Sequence, residues 1–207
     1  MGKFYDTIDG KLRDWIERQS LFFVATAPTS ANGHVNVSPK GPIETFRVVD
    51  ERRIAYLDFV GSGAETVAHL RENGRIVVMF CAFEGRPRIL RLHGFGYAVQ
   101  RGDERFREMY EALGFSSVER VPGSSRAIVV VEVERISDSC GYGVPLLRYE
   151  GRRPQQVAWF ERKTAARGTN ALARYVAERN AESIDALPAF DGTRAGEPAR
   201  WRDRARQ

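Results

Sequence analysis

Cysteine is nearly absent from this chain: of 207 residues only Cys81 and Cys140 carry a thiol, and they lie far apart. A disulfide framework would use more of them, so a reducing compartment is expected, and the cytoplasm is the natural assignment. Neither thiol shares a ligand-like spacing with a histidine, so the sequence offers no structural metal site. Long apolar runs are missing too. The longest, Leu21 to Ala25 and Ile76 to Phe83, have the length of strands, whereas a membrane-crossing helix needs ~20 apolar residues. The first residues reach Asp6 without the apolar stretch of a secretory signal. No Gly-x-Gly-x-x-Gly follows a first strand, which argues against a Rossmann dinucleotide site. Lysine is scarce, and Trp201 is the sole aromatic among the C-terminal arginines, so the nucleic-acid signal is weak.

What is present is ordinary globular composition, with 43% hydrophobic and 29% charged residues. A chain of this size buries roughly 70% of its unfolded surface, enough for a self-sufficient core, which excludes disorder as the dominant state. The net charge of +5 is unevenly placed. Residues 1–147 carry 19 basic and 19 acidic side chains, and residues 148–207 carry 13 against 8. The excess therefore reads as a solvated, Arg-rich C-terminal extension. The expected organisation is a domain over 1–147, a helical extension over 148–190 and an Arg-rich tail over 191–207.

Tyr5, Ile8, Leu12, Trp15 and Ile16 recur at helical spacing and predict a helix over about 5–18. Strands are expected at 21–27, 34–38, 46–49, 54–59, 76–83, 89–99 and 127–136, with short helices at 64–72 and 103–113. In His34-Val-Asn-Val-Ser38 the two valines fall on one face and His34, Asn36 and Ser38 on the other. Asn73-Gly74 closes the 64–72 helix, and helices are expected again at 154–166 and 169–181. Consecutive strands joined by hairpin turns, with few helices between them, predict a mainly β protein with peripheral helices built on an antiparallel barrel.

Two stretches carry chemistry. Asn36-Val-Ser-Pro-Lys40 is a strand that delivers alternating polar side chains and ends on a lysine. Asp58-Phe-Val-Gly-Ser-Gly-Ala-Glu-Thr66 runs from a strand through a glycine turn into a helix. Exposed amides with the Ser62 and Thr66 hydroxyls beside them would suit a phosphate, with Lys40 adding a point charge. The plainer reading is a strand-to-helix connection with Ser62 as the helix cap. His34, His69 and His93 read as structural, and no Cys-His-Asn arrangement accompanies Cys140. No side chain is assigned as a catalytic acid or base.

The order of these pieces resembles the pyridoxamine 5'-phosphate oxidase-like family of FMN-binding split barrels. The resemblance covers roughly 20–147. It rests on Phe22-Phe-Val-Ala-Thr26, Gly33-His-Val-Asn-Val-Ser-Pro-Lys-Gly41, Ala55-Tyr-Leu-Asp-Phe-Val-Gly-Ser-Gly63, Val67-Ala-His-Leu-Arg-Glu-Asn73, Val77-Val-Met-Phe80 and Leu90-Arg-Leu-His-Gly94. Ser139-Cys-Gly-Tyr-Gly-Val-Pro145 looks like a signature of one branch of it. The resemblance implies a six-stranded split barrel, a homodimer with two FMN sites at its interface, and a flavin-dependent oxidoreductase acting on a small molecule. By position it assigns Asn36, Val37, Ser38 and Lys40 to the flavin ring and ribityl chain, and Asp58, Phe59, Ser62 and Gly63 to the ring edge and phosphate. Thr66 joins them for its place in the first helical turn. Cys140, Gly141, Tyr142 and Gly143 are the candidates for reaching the partner's flavin, and Tyr142 is equally readable as interface packing.

One departure stands out. The authentic oxidase has an Arg-Lys pair after its turn serine, where this chain has Gly63-Ala64. The phosphate grip would then fall to amides, hydroxyls, Lys40 or an arginine such as Arg88 or Arg91. The C-terminal arginine signature for the vitamin substrate is also absent from 148–207. The same barrel houses deazaflavin-dependent reductases and heme-binding relatives, so fold alone does not fix chemistry.

Overall fold

Strands dominate where β-branched and aromatic residues alternate with polar ones, and hairpin turns make neighbours of consecutive strands. A computed structural model of the protein describes residues 2–190. The Arg-rich stretch 191–207 lies outside the described residues. The elements run β1 (Phe4–Tyr5), α1 (Gly10–Glu17), β2 (Phe22–Thr26), β3 (Asn36–Lys40), β4 (Phe46–Val48), β5 (Arg53–Phe59) and α2 (Glu65–Glu72). They continue with β6 (Arg75–Cys81), β7 (Ile89–Gln100), α3 (Glu104–Ala112), β8 (Ser125–Ser139), α4 (Gln155–Arg167) and α5 (Ala171–Arg179). All strand pairs are antiparallel in the order β3-β2-β6-β7-β8-β5-β4, with β1 added to β8.

The sheet curls on itself. β2 and β4 are far apart along the ladder, yet the Phe22 and Phe46 rings meet edge-on with centroids 5.1 Å apart. Phe80 of β6 lies 5.2 Å from Phe46, and Tyr56 of β5 lies 5.4 Å from Phe22. These rings fill the interior with Val24, Val78, Leu92, Val129 and Val131, all fully buried. No ladder joins β3 to β4 among the described residues, so the barrel is split between them. Register shifts interrupt two ladders on β8, one between His93 and Gly94 of β7 and one between Asp58 and Phe59 of β5. A Cβ at Gly94 would stand 1.9 Å from the Glu132 carbonyl oxygen, so only glycine fits that close approach.

The mainly β fold stands as the sequence implies, with eight strands rather than the six of the resemblance; β1, the one not among the expected strand segments, is two residues long. The predicted helix over 5–18 is shorter. Asp9 caps α1 through its carboxylate, which accepts from the Leu12 amide at 2.8 Å. Tyr5 lies on β1 instead, its hydroxyl donating to Asp138 at 2.7 Å.

β5 is buried on both faces. Ile54 and Tyr56 enter the barrel, while Ala55 and Leu57 pack outward on Phe106 of α3, Phe115 and Ile128. A third cluster joins Val60 and Val121 to Phe160 of α4 and Leu172 of α5, and so fastens the C-terminal helices beside the end of β5. Among the described residues no helix is long and apolar enough to cross a membrane.

Candidate functional site

The alternation of β3 has an unusual sense. Val35 and Val37 are 70% and 63% exposed, while Asn36, Ser38 and Lys40 are the half-buried face. The strand therefore turns its polar side inward, toward β5 and the start of α2. There Asn36 Nδ2 donates to Thr66 Oγ1 at 3.1 Å and to Thr26 Oγ1 at 3.3 Å, and Ser38 Oγ donates to Asn36 Oδ1 at 2.9 Å. Thr26 Oγ1 also lies 2.9 Å from His69 Nδ1. His69 is fully buried and its Nε2 has no partner. Burial lowers its pKa despite Asp185, Glu72 and Glu65, which favours a neutral ring at pH 7.

Below this network sits a buried charge cluster. Asp58, the inward residue that follows Tyr56 on β5, is 4% exposed. Its carboxylate accepts from Lys40 Nζ at 2.7 Å and from Arg126 Nε at 2.7 Å. Burial by itself would raise the Asp58 pKa. The Arg126 guanidinium and the Lys40 ammonium outweigh that and hold it down at about 2. Arg126 in turn donates from Nη1 to Asn180 Oδ1 at 2.8 Å and stacks 4.8 Å above the Phe190 ring. Asn180, fully buried after α5, donates from Nδ2 to the Gly61 and Ser62 carbonyls at 3.0 and 3.2 Å. The C-terminal extension thus clasps the glycine corner rather than lying apart from it.

These groups border a cavity of about 280 Å³. Ser38, Lys40, Asp58, Phe59, Gly63 and Thr66 line it, and Asn36 is tied to it through Thr66. Six expected residues are placed elsewhere. Val37 faces outward, and Ser62 is exposed, with α2 starting after Ala64 and carrying no side-chain cap, so the expectation of a Ser62 cap does not hold. Cys140, Gly141, Tyr142 and Gly143 follow β8 outside the cavity. Gly141 has φ of +67° and packs on the Arg88 backbone, and Tyr142 is 82% exposed.

The expected arginines are also committed elsewhere. Arg88 is held by Asp138 and the Tyr5 hydroxyl, and Arg91 donates to Ser139. The arginine at the cavity is Arg126. Its signal in the sequence is a lone charge heading the apolar run Arg126-Ala-Ile-Val-Val-Val131; Asn180 leaves none, because a helix-end asparagine is commonplace.

Chemically the cavity offers a row of hydroxyl and amide groups beside two cations that share one carboxylate, with Glu65 on its wall. No histidine or cysteine is among its lining residues, so the lining is polar and charged without a group whose ordinary pKa lies near neutrality. Beyond Lys40, Gly41, Phe59 and Gln156 it adjoins a second, more apolar cleft of about 540 Å³ under α4.

The chain resembles known proteins in sequence. The family model described as pyridoxamine 5'-phosphate oxidase matches residues 8–140. The pyridoxamine 5'-phosphate oxidase family protein ustO of Aspergillus flavus is 39% identical over 197 residues, spanning 89% of this chain and 76% of its own length. Among solved structures, HupZ of Group A Streptococcus is 27% identical with a TM-score of 0.48, covering 62% of this chain and 91% of that one. An FMN-binding protein of Syntrophomonas wolfei is 20% identical with a TM-score of 0.43, covering 66% and 85%.

Proposed function

Because this chain belongs to the pyridoxamine 5'-phosphate oxidase family, we propose that it is an FMN-dependent oxidoreductase that works as a homodimer on a small-molecule substrate. The observation that carries this reading is the inverted strand β3, which places Asn36, Ser38 and Lys40 inside a cavity shared with Asp58, Thr66 and Arg126. A strand that turns its polar face inward and its valines outward departs from the usual pattern, and such departures are expected at functional sites.

The residues fit the coenzyme's parts. Asn36, Ser38 and Thr66 offer donors and acceptors for a polyol chain, and Lys40 and Arg126 offer cations for a phosphate. Asp58 holds those two cations in place and offsets part of their charge. The flavin, when bound, supplies hydride transfer at its N5 atom. The protein's own share is to orient it and to exclude water from one face.

Exposed Val37 on β3 and Val35 just before it, together with the 140–143 segment and exposed Leu146, are apolar groups suited to a second copy of the chain. In that reading Cys140, Gly141, Tyr142 and Gly143 reach the partner's coenzyme. Gly63-Ala64 replaces the oxidase's Arg-Lys pair, so oxidation of pyridoxamine phosphate is not part of the proposal.

Purified protein and its visible spectrum test the reading. Yellow material that releases one FMN per chain, and that is reduced by NAD(P)H or a substrate at a useful rate, supports it. Lys40→Ala is expected to weaken FMN more than riboflavin. Colourless protein that ignores added FMN overturns it; a Soret band or selective uptake of the deazaflavin would move the assignment to those branches, and bound flavin without turnover would leave a binding protein.

A further inference from the structure

The cleft under α4 has the features of a site in its own right. Its floor is the Phe59–Phe160 ring pair, with centroids 6.1 Å apart and Phe160 2% exposed. Val121 and Val157 form apolar walls, and Arg120 and Arg153 stand among the residues that line it. Both arginines are exposed, and no carboxylate among the described residues pairs with either. A third, Arg152, is paired with Glu44, and Glu161 is the single acidic lining residue. The lining is thus apolar inside and cationic around it, and it shares Lys40, Gly41, Phe59 and Gln156 with the cavity assigned to the coenzyme.

We infer that this cleft is the substrate site, and that its substrate is an organic anion with an aromatic or otherwise apolar body. The body packs on Phe59, Phe160 and Val157, and the carboxylate or sulfonate lies at Arg120 and Arg153. This rests on the flavin reading only for the word substrate; the affinity for apolar anions stands without it. The volume of about 540 Å³ falls within the range of ordinary small-molecule sites. Charge complementarity selects the anion, because two unpaired guanidiniums beside an apolar wall reward a negative group and give a neutral one nothing. The cleft is built jointly by the barrel, which supplies Phe59, Arg120 and Val121, and by the segment after residue 147, which supplies Arg153, Val157 and Phe160.

Fluorescence titration of the full chain with 1-anilinonaphthalene-8-sulfonate, and in parallel with uncharged N-phenyl-1-naphthylamine, tests the inference. The double variant Arg120→Ala/Arg153→Ala is expected to weaken the sulfonate about fivefold, as loss of two partly exposed charge contacts should, and to leave the neutral probe unchanged. The lysine pair Arg120→Lys/Arg153→Lys should recover part of the loss. Val157→Trp, checked for an unchanged melting temperature, should remove both probes. Equal weakening of both probes by the double alanine variant, or sulfonate binding that survives Val157→Trp, overturns the proposal. FMN content, read independently from the flavin absorbance, separates the two readings. A chain that takes up no FMN yet shows this probe pattern overturns the flavin assignment and keeps the anion cleft, and the opposite result does the reverse.

Discussion

Replacing Asp58 by asparagine separates the two jobs that its carboxylate performs. In the wild-type protein Asp58 neutralises Lys40 and Arg126 in a buried setting, with its pKa held at about 2. The unfolded value is near 3.9, so the folded carboxylate is favoured by roughly 2 units, or about 3 kcal/mol. The sign follows from the depressed pKa. The stabilisation is complete above about pH 5 and is lost as pH falls through 4 toward 2. Asp58→Asn lacks this dependence, because it cannot titrate. At pH 7 the variant leaves two buried cations facing an amide, which costs about 3–5 kcal/mol.

Urea unfolding at pH 7 should show that loss. Between pH 5 and pH 2 the gap between wild type and variant should narrow by about 2 kcal/mol, or about 4–8 °C in melting temperature for a chain of this size. A gap that stays constant across that window would refute the claim that Asp58 is a charged partner of Lys40 and Arg126.

The same substitution has an opposite consequence for the coenzyme. Removing one negative charge frees both cations for a phosphate. At a separation of ~8 Å and an effective dielectric of ~20 that charge is worth about 2 kcal/mol. Asp58→Asn should therefore raise the preference for FMN over riboflavin by about tenfold or more, even as it lowers stability. Isothermal titration with the two flavins at low temperature measures the ratio. An unchanged or reduced ratio would show that Lys40 and Arg126 do not face the phosphate.

Asn180→Ala strips the Gly61 and Ser62 carbonyls and Arg126 of a buried partner. Urea unfolding should register a loss of about 2–4 kcal/mol, accompanied by weaker FMN binding; a stable variant with unchanged FMN affinity would show that the extension does not brace the site. His69 has a lowered pKa in the folded state, so protonation opposes folding and stability falls as pH drops below about 6.5. Thermal scans from pH 7 to pH 5 should show a steeper decline for wild type than for His69→Gln. Gly94→Ala puts a methyl 1.9 Å from the Glu132 carbonyl oxygen. It should cost about 3 kcal/mol or more, read as a large fall in melting temperature.

The barrel was legible because its signals are local. Val129, Val131 and Val133 alternate with Val130, Glu132 and Glu134, and that period alone places β8. β1 escaped because two residues carry no period, and Tyr5 and Ile8 fall by coincidence on the helical spacing of Leu12 and Ile16. The site divides along the same line. Lys40 and Asp58 were legible because each stands in a short segment whose order matches a family, and Thr66 because it falls in the first turn of a helix that follows a glycine corner. Arg126 and Asn180 were not, because their partners lie 68 and 54 residues away in sequence and nothing local announces the pairing. β3 shows the deeper reason. Alternation in Asn36-Val-Ser-Pro-Lys40 reveals two faces but not which of them enters the fold. Burial of apolar surface would turn Val35 and Val37 inward, and the chain does the opposite. Exposing two valines is unfavourable for an isolated protomer unless they later meet a partner, whereas the enclosure of Asn36, Ser38 and Lys40 is offset by their bonds to Thr26, Thr66, Asp58 and one another. The same five residues therefore favour a second chain outside and present a polar wall to the coenzyme inside; a protein that stays monomeric in solution would remove the first argument, and one that ignores added FMN the second.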